Sequence, residues 1–276
     1  MADPVPNQTQ TTPVCIGLVL SGGGLRGTAH LGLLRRLLRH GVRIDVLAGV
    51  SAGAIIAAYY AAVGLSVRDM IDEVPTFRGR HIVMHGVTLR APHPLKAFFR
   101  RFCGVIPARL EQLDQASFTT LHHGISRLGI VCHDLDRRAP RYFSTGDSSG
   151  VRLADVARAS AAVPGVLPPK VMTIDGETVR LVDGGISDSL PIAFATSPQM
   201  GATHVIVSDC RHVAAPPPRA GNIVYLRPEL DRIRPFSAPV SALLESVGRG
   251  EAAVTDEAIG RIRQWMPQSA LTAAAG

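Results

Sequence analysis

The chain has 276 residues, of which 46% are hydrophobic and 18% charged, a balance typical of a globular protein with a buried core. The apolar run at residues 54–63 is too short to span a bilayer, which needs about 20 residues. The polar residues 1–13 lack the basic and apolar regions of a signal peptide. We therefore expect a single domain over residues 14–267, with a disordered lead-in at 1–13 and a flexible tail at 268–276.

The net charge of +7 and the isoelectric point of about 9.8 favour anionic partners such as lipid headgroups, nucleic acid or acidic metabolites. Arginines are not interleaved with aromatic residues as they are on a nucleic-acid-binding surface, so we expect no nucleic-acid partner. The four cysteines are scattered without metal-ligand spacing, which indicates a reduced, cytoplasmic setting.

Strands and helices alternate along the chain. Residues 14–20 form an apolar strand, and a glycine-rich loop and an amphipathic helix that ends at Gly41 follow it. A second strand at 43–48 and an apolar helix at 54–63 complete a β-α-β-α unit, whose crossover makes its two strands parallel neighbours. Further strands are predicted at 128–133, 141–144, 179–182, 202–208 and 221–226, and a helix of small residues at 154–162. This alternation predicts an α/β fold with a mostly parallel sheet flanked by helices.

Residues 75–110, here called the basic segment, differ from the rest of the chain. They carry seven basic residues and no acidic one, together with Phe98, Phe99 and Phe102. Three interpretations are open: a mobile lid over an active site, a surface that meets anionic lipid, or a solvated helical excursion with buried phenylalanines.

The pentapeptide Gly49-Val50-Ser51-Ala52-Gly53 matches the Gly-x-Ser-x-Gly pattern between a predicted strand and a predicted helix. In that context a sharp turn presents the serine hydroxyl as a nucleophile, and Gly49 and Gly53 let the backbone bend and let a substrate approach. The alternative is a tight turn without chemistry. The context favours a nucleophilic Ser51.

The glycine-rich loop reads Gly22-Gly23-Gly24-Leu25-Arg26-Gly27 and stands between a strand and a helix. A dinucleotide site would need an acidic residue after the next strand, where this chain has Ser51, and a phosphate-binding loop would need a lysine that is absent. Backbone N–H groups at a helix start can instead stabilise the negative charge on a carbonyl oxygen under attack. Close packing of helix on strand is the alternative reason for these glycines.

A nucleophilic serine needs a base. None of the ten histidines has a distinguishing marker, although His204 and His212 lie near a strand and could serve a Ser-His-acid triad. Asp183 is the better candidate, because it ends a strand and Gly184 and Gly185 follow it. Asp209, which also ends a strand, is a second candidate.

These three motifs, in this order, resemble the patatin-like phospholipase family, as do residues 159–165 and 167–169, and the resemblance covers residues 14–210. It implies a three-layer α/β/α sandwich, a Ser51–Asp183 dyad without a catalytic histidine, and an oxyanion site in the glycine-rich loop with Arg26 near it. It implies no metal or organic cofactor. Many members have an asparagine just before the proline that follows Asp-Gly-Gly, whereas this chain reads Ser187-Asp188-Ser189-Leu190-Pro191. That departure concerns the support of the Asp183 loop.

The resulting hypothesis is a phospholipase A or lysophospholipase type of acyl hydrolase that works through an acyl-enzyme. Its partners would be a phospholipid or other acyl ester and, at the periphery, an anionic membrane. Three alternatives stay open: a lipid transacylase on the same site, a triad hydrolase that uses a histidine, and a non-catalytic lipid- or nucleotide-binding module.

Overall fold

The computed structural model describes residues 13–147, 150–213 and 220–266. The predicted lead-in, apart from Pro13, and the predicted tail lie outside the described residues. Both therefore stay predictions.

The described residues contain one sheet of eight strands, which are β1 (Ile16–Leu20), β2 (Val46–Val50), β3 (Arg127–Asp134), β4 (Ala139–Ser144), β5 (Lys170–Ile174), β6 (Glu177–Asp183), β7 (His204–Ser208) and β8 (Ile223–Leu226). The strand order is β5-β6-β3-β2-β1-β7-β8, and β4 pairs with β3. The run from β8 to β3 is parallel, whereas β4, β5 and β6 make antiparallel pairs. The predicted α/β class, with a central sheet flanked by helices, is confirmed.

The helices of the described residues are α1 (Thr28–Arg39), α2 (Ala52–Ala58), α3 (Val67–Glu73), α4 (Gly79–Arg90), α5 (His93–Arg100), α6 (Ile106–Asp114), α7 (Leu153–Ser160), α8 (Ile192–Ala195), α9 (Val240–Ala253) and α10 (Asp256–Arg263). A π-helical turn at Tyr59–Val63 extends α2 and ends at Gly64. Single 3-10 turns lie at Gly24–Gly27, Val74–Thr76 and Gly184–Ile186.

Two apolar layers cover the sheet because successive side chains of a strand point to opposite faces. On β1, Leu18 and Leu20 face the larger layer, which includes α1, α2, α7, α9 and α10, and Val19 faces the smaller one. Within the described residues, the smaller layer has only the four-residue helix α8 and neighbouring loop residues over the sheet. The sandwich is thus thick on one side and thin on the other.

The length of β3 determines where two other strands end. β2 pairs with β3 up to Val50 opposite Val131, and β6 pairs with the next stretch, from Asp183 opposite Cys132. Because β4 pairs with β3 along both stretches, β2 and β6 must share the other side of β3. Their carboxyl ends therefore meet head to head at consecutive positions of β3.

The basic segment folds into α4, α5 and the start of α6. Phe98 and Phe102 are 47% and 46% exposed, so the interpretation with buried phenylalanines is wrong. The strand predicted at 43–48 lies at Val46–Val50 instead, and the Asp45 carboxylate just before it accepts a 2.8 Å hydrogen bond from the N–H of Ile16.

Candidate active site

Ser51 stands in a strained turn directly after β2. Its backbone has a φ of 56° and a ψ of −122°, a left-handed region that a non-glycine residue adopts only when the surroundings impose it. The flanking glycines are required by close contacts: a Cβ on Gly49 would lie 2.5 Å from the Gly53 carbonyl oxygen, and one on Gly53 would lie 2.3 Å from the Leu20 carbonyl oxygen. The predicted sharp turn is therefore present, and Ser51 lies in it.

Asp183 lies directly beside Ser51. The Ser51 hydroxyl donates a hydrogen bond of 2.6 Å to Asp183 Oδ2, and the Gly185 N–H donates one of 2.8 Å to Oδ1. Gly184 must lack a side chain because its Cβ would lie 2.3 Å from the Val131 carbonyl oxygen. The head-to-head meeting of β2 and β6 thus brings the two predicted residues together across 132 positions of sequence.

The Asp183 carboxylate is almost completely buried. Burial raises its pKa above the ordinary value, and the hydrogen bonds from Ser51 and Gly185 offset part of that rise. No ion pair to Asp183 is found among the described residues. A buried carboxylate without a cationic partner is a stronger base than an exposed aspartate.

Ser160, at the end of α7, holds the turn from behind. Its Oγ accepts a 2.9 Å hydrogen bond from the Ser51 N–H and donates one of 2.6 Å to the Val131 carbonyl oxygen. The side chain is fully buried. The sequence analysis did not give Ser160 a role. The feature that could have indicated one is its lone hydroxyl among the small apolar residues that end this helix.

The glycine-rich loop (residues 22–27) lies next to Ser51 because β1 and β2 are parallel neighbours and their loops leave from one sheet edge. A Cβ on Gly22 would contact the Ser51 Cβ at 3.4 Å, and one on Gly27 would lie 2.8 Å from the Ala52 Cβ. Gly24, with its neighbours on the loop, lines the same cavity as Ser51.

Three of the loop's backbone N–H groups are already engaged. The Gly22 N–H donates to the Ser189 carbonyl oxygen at 3.3 Å, and those of Leu25 and Arg26 donate to other carbonyl oxygens. Within the described part of the chain, the N–H groups of Gly23 and Gly24 have no acceptor. Among residues 22–26, the free donors are therefore Gly23 and Gly24.

Arg26 does not face the substrate side, in contrast to the expectation from the resemblance. Its guanidinium is buried and donates to the carbonyl oxygens of Cys210, Leu230 and Ile233 at 2.5–3.0 Å and to that of Arg211 at 3.3 Å. A guanidinium has five donors in a rigid fork, and here carbonyl groups take them up. Arg26 therefore supports the loop from behind.

His30 lies beneath the same loop. Its Nε2 is 3.0 Å from the Ser21 carbonyl oxygen, which can only accept, so Nε2 carries the proton. Nδ1 lies 2.7 Å from Ser208 Oγ. Burial lowers the pKa of His30 to about 4, so the ring is neutral. This buried network, which the sequence did not reveal, holds the residue that precedes Gly22.

The other candidate bases lie elsewhere. All ten histidines are within the described residues, and none of them hydrogen-bonds to Ser51 or Asp183. His204 begins β7, at the amino ends of the parallel strands, whereas Ser51 follows a carboxyl end. Neither His204 nor His212 contacts the serine. Asp209 is buried against Arg211 and Arg227. None of the three is brought to Ser51.

The segment 187–191, which contains no asparagine, supports both loops through its serines. Ser187 Oγ lies 3.1 Å from His133 Nδ1. The Ser189 carbonyl oxygen accepts from Gly22, and its hydroxyl accepts a 3.0 Å hydrogen bond from Arg211. Ser189 therefore links the Asp183 loop to the glycine-rich loop.

A cavity of about 680 Å³ contains Ser51 in its wall. Its lining is mostly aliphatic, with side chains from α2, α3, α4, α6 and the turn after α7, among them Ile55, Ile56, Met70, Ile82, Leu89, Ile106, Leu110 and Leu167. Two of its few charged residues, Glu73 and Arg109, form an ion pair with each other. A cavity of this size and polarity accommodates an extended apolar chain.

The family model described as patatin-like phospholipase matches residues 18–196, more than half of the chain. The chain belongs to the patatin-like phospholipase family. The order of the glycine-rich loop, the serine turn and Asp-Gly-Gly, and their convergence at one sheet edge, agree with this membership.

Curated relatives are much longer than this chain. An uncharacterized NTE family protein of Mycobacterium tuberculosis is 32% identical over 203 residues, which make up 73% of this chain and 31% of that protein. Lysophospholipase NTE1 of Mycosarcoma maydis is 29% identical over 216 residues, and the match covers 74% of this chain and 10% of that protein. The chain therefore spans less than a third of the length of these relatives.

Among solved structures, VipD from Legionella pneumophila shares the fold, with a TM-score of 0.55 at 15% sequence identity over 92% of this chain and 68% of that one. Among the described residues, no helix combines the length and the apolarity required to cross a membrane.

Proposed function

We propose that this protein is a lipid acyl hydrolase, of the phospholipase A or lysophospholipase type, that works through a Ser51–Asp183 dyad. The observation that carries the proposal is the 2.6 Å hydrogen bond from the hydroxyl of Ser51, which lines an apolar cavity, to the buried Asp183 carboxylate, which forms no ion pair with the described residues. Membership of the patatin-like phospholipase family supports it, as does similarity to proteins named lysophospholipases.

In the acylation step, Asp183 accepts the hydroxyl proton while Ser51 Oγ attacks the carbonyl carbon of an acyl ester. The tetrahedral intermediate collapses, its C–O bond to the alcohol breaks, and the alcohol leaves with the proton from Asp183. Water then attacks the acyl-enzyme and gives a proton to Asp183. The C–O bond to Ser51 breaks, Ser51 takes that proton back from Asp183, and the fatty acid is released. The raised pKa of Asp183 suits both proton transfers.

The negative charge of each intermediate falls on the former carbonyl oxygen. The N–H groups of Gly23 and Gly24 are the donors proposed to stabilise it, because their neighbours in the loop are already engaged. Loss of one such donor typically slows acyl transfer by about 100- to 1000-fold. Arg26, Ser160 and Ser189 would hold the donors and the nucleophile in place without contact with the substrate.

The cavity lining favours esters with long acyl chains. An aliphatic wall gains roughly 0.8 kcal/mol for each methylene group that it removes from water. We therefore expect kcat/KM to rise with acyl length until the chain fills the cavity. The few charged residues in the lining are paired or lie among partners of opposite charge.

Labelling by a fluorophosphonate tests the nucleophile, with Ser51→Ala as the negative variant and the exposed Ser241→Ala as the matched control. Label on the parent and on Ser241→Ala, but not on Ser51→Ala, is the expected result. A folded parent that stays unlabelled would support the non-catalytic binding module instead. A phospholipid panel with an added alcohol then separates release of fatty acid from transfer of the acyl group.

A further inference from the structure

Exposed apolar side chains are concentrated on α4, α5 and the turn that follows α5. Twelve large hydrophobic side chains are exposed in the described residues, and six of them lie between positions 83 and 102. No residue of α5 is buried. Apolar side chains gathered on one surface of a chain mark a site of interaction.

The apolar side chains of α5 and the next turn form a preassembled cluster. Leu95, Phe98 and Phe102 are spaced three and four residues apart, as on one stripe of a helix. The Phe98 and Phe102 rings contact each other edge to face with their centroids 5.6 Å apart, and Phe99 joins Phe98 at 5.4 Å. Little ordering is therefore needed before this cluster can bind an apolar partner.

Cations without anionic partners surround the cluster. Lys96 and Arg101 are exposed and form no ion pair with the residues that the structure describes, and the Arg101 guanidinium lies 4.6 Å from the centre of the Phe98 ring. The whole basic segment has no carboxylate. Apolar side chains flanked by basic ones complement a surface with phosphates above hydrocarbon.

This surface adjoins the wall of the cavity. The helices on either side of α5 both line it, α4 through Ile82 and Leu89 and α6 through Ile106 and Leu110. A bilayer held at α5 would therefore lie next to the two helices that enclose the acyl-chain cavity.

We propose that residues 93–102 dock this protein on the surface of an anionic bilayer. Leu95, Phe98 and Phe102 enter the headgroup layer, and Lys96 and Arg101 bind lipid phosphates. The proposal rests on the proposed function in one respect, since the docked bilayer is the source of the acyl ester. The binding step itself requires no catalysis.

Vesicle sedimentation tests the proposal with Ser51→Ala as the background, so that no lipid is consumed. The probes are vesicles of phosphatidylcholine alone and of equal parts phosphatidylcholine and phosphatidylglycerol. We expect binding to the second kind. Each basic residue near an anionic surface contributes a factor of roughly five, so the combined Lys96→Glu and Arg101→Glu variant should lose at least about 25-fold, because the new carboxylates also repel the surface. Combined Leu95→Ser and Phe98→Ser should also weaken binding.

Arg263→Glu on α10 and Val171→Ser on β5 are the matched controls, because both residues are exposed and lie outside the basic segment. The proposal would be overturned if the controls lost as much vesicle binding as the docking variants. It would also be overturned if the protein bound equally well to vesicles with and without phosphatidylglycerol. A sedimentation coefficient that falls in the docking variants without lipid would assign the surface to a second copy of the chain. Hydrolysis of a water-soluble short-chain ester should be unchanged by Lys96→Glu with Arg101→Glu. A folded parent that hydrolyses neither this ester nor a long-chain phospholipid would refute the proposed function and leave the docking result valid.

Discussion

Replacement of Asp183 by asparagine removes the proposed base while it preserves the shape of the site. The amide oxygen can still accept the 2.8 Å hydrogen bond from the Gly185 N–H, so the loop geometry is retained. What is lost is the acceptor of the Ser51 proton. No histidine hydrogen-bonds to Ser51, so no described side chain is in place to substitute for the carboxylate.

The expected loss follows from the contribution of a general base. Such a group accelerates proton transfer by about 100- to 10,000-fold, which corresponds to about 2.7 to 5.4 kcal/mol of activation free energy. Because Asp183 acts on the nucleophile and not on the bound acyl chain, the loss should lie in kcat, with KM nearly unchanged. Stability should not fall, since an uncharged amide is easier to bury than an unpaired carboxylate.

Steady-state hydrolysis of a p-nitrophenyl ester measures this loss, with the thermal midpoint of unfolding as the check on folding. Asp188→Asn is the matched control, because Asp188 lies five positions away and contacts Tyr142 at the surface. The control should stay within about two-fold of the parent, as surface changes usually do. A folded Asp183→Asn variant that keeps more than a tenth of the parent kcat would show that Asp183 is not the base.

The same base predicts the acid limb of the pH profile. Asp183 must be ionised to accept a proton, so kcat/KM falls as the pH decreases through its pKa. Burial raises that pKa, so the midpoint should lie above the ordinary aspartate value of 3.8. A profile that stays flat down to the ordinary value would contradict a buried, unpaired base.

Three further substitutions test the framework of the site. Ser160→Ala removes a hydrogen-bond partner from two buried backbone groups, and should lower the unfolding free energy in denaturant titration by about 1–3 kcal/mol and also reduce kcat. Buried, neutral His30 has a pKa of about 4, so stability should decline as the pH falls from about 6.5 towards 4, a slope that His30→Gln should flatten. Gly53→Ala would place a Cβ 2.3 Å from the Leu20 carbonyl oxygen and should prevent correct folding, as measured by soluble yield, whereas Gly248→Ala meets open space and should be neutral or stabilising.

Local sequence patterns were sufficient to predict the secondary structure of much of the chain. The strand, turn and helix on either side of Ser51 are encoded by neighbouring residues, and the glycines at 49 and 53 have the close backbone contacts that their positions suggested. The strands predicted at 128–133 and 141–144 are present as β3 and β4. Short or weakly patterned elements were missed, including β5 and the four-residue helix α8.

The sequence did not predict which way the side chains of the glycine-rich loop point. Arg26 has the same spacing whether it faces the substrate or the protein interior, and the resemblance suggested the former. The choice depends on carbonyl groups more than 180 positions away, at Cys210, Leu230 and Ile233. Which of the loop's N–H groups are free depends likewise on Ser189 and Pro235.

The amino-acid order alone determined that Ser51 stands in a strained turn and that Asp183 ends a strand, because both depend on local propensity and on glycine positions. That the two are hydrogen-bonded was decided only by tertiary structure. β3 is long enough to pair with β2 and β6 in succession on one side, and this register places residues 132 positions apart within 2.6 Å. Strand register depends on packing across the whole sheet, which no local window of sequence contains.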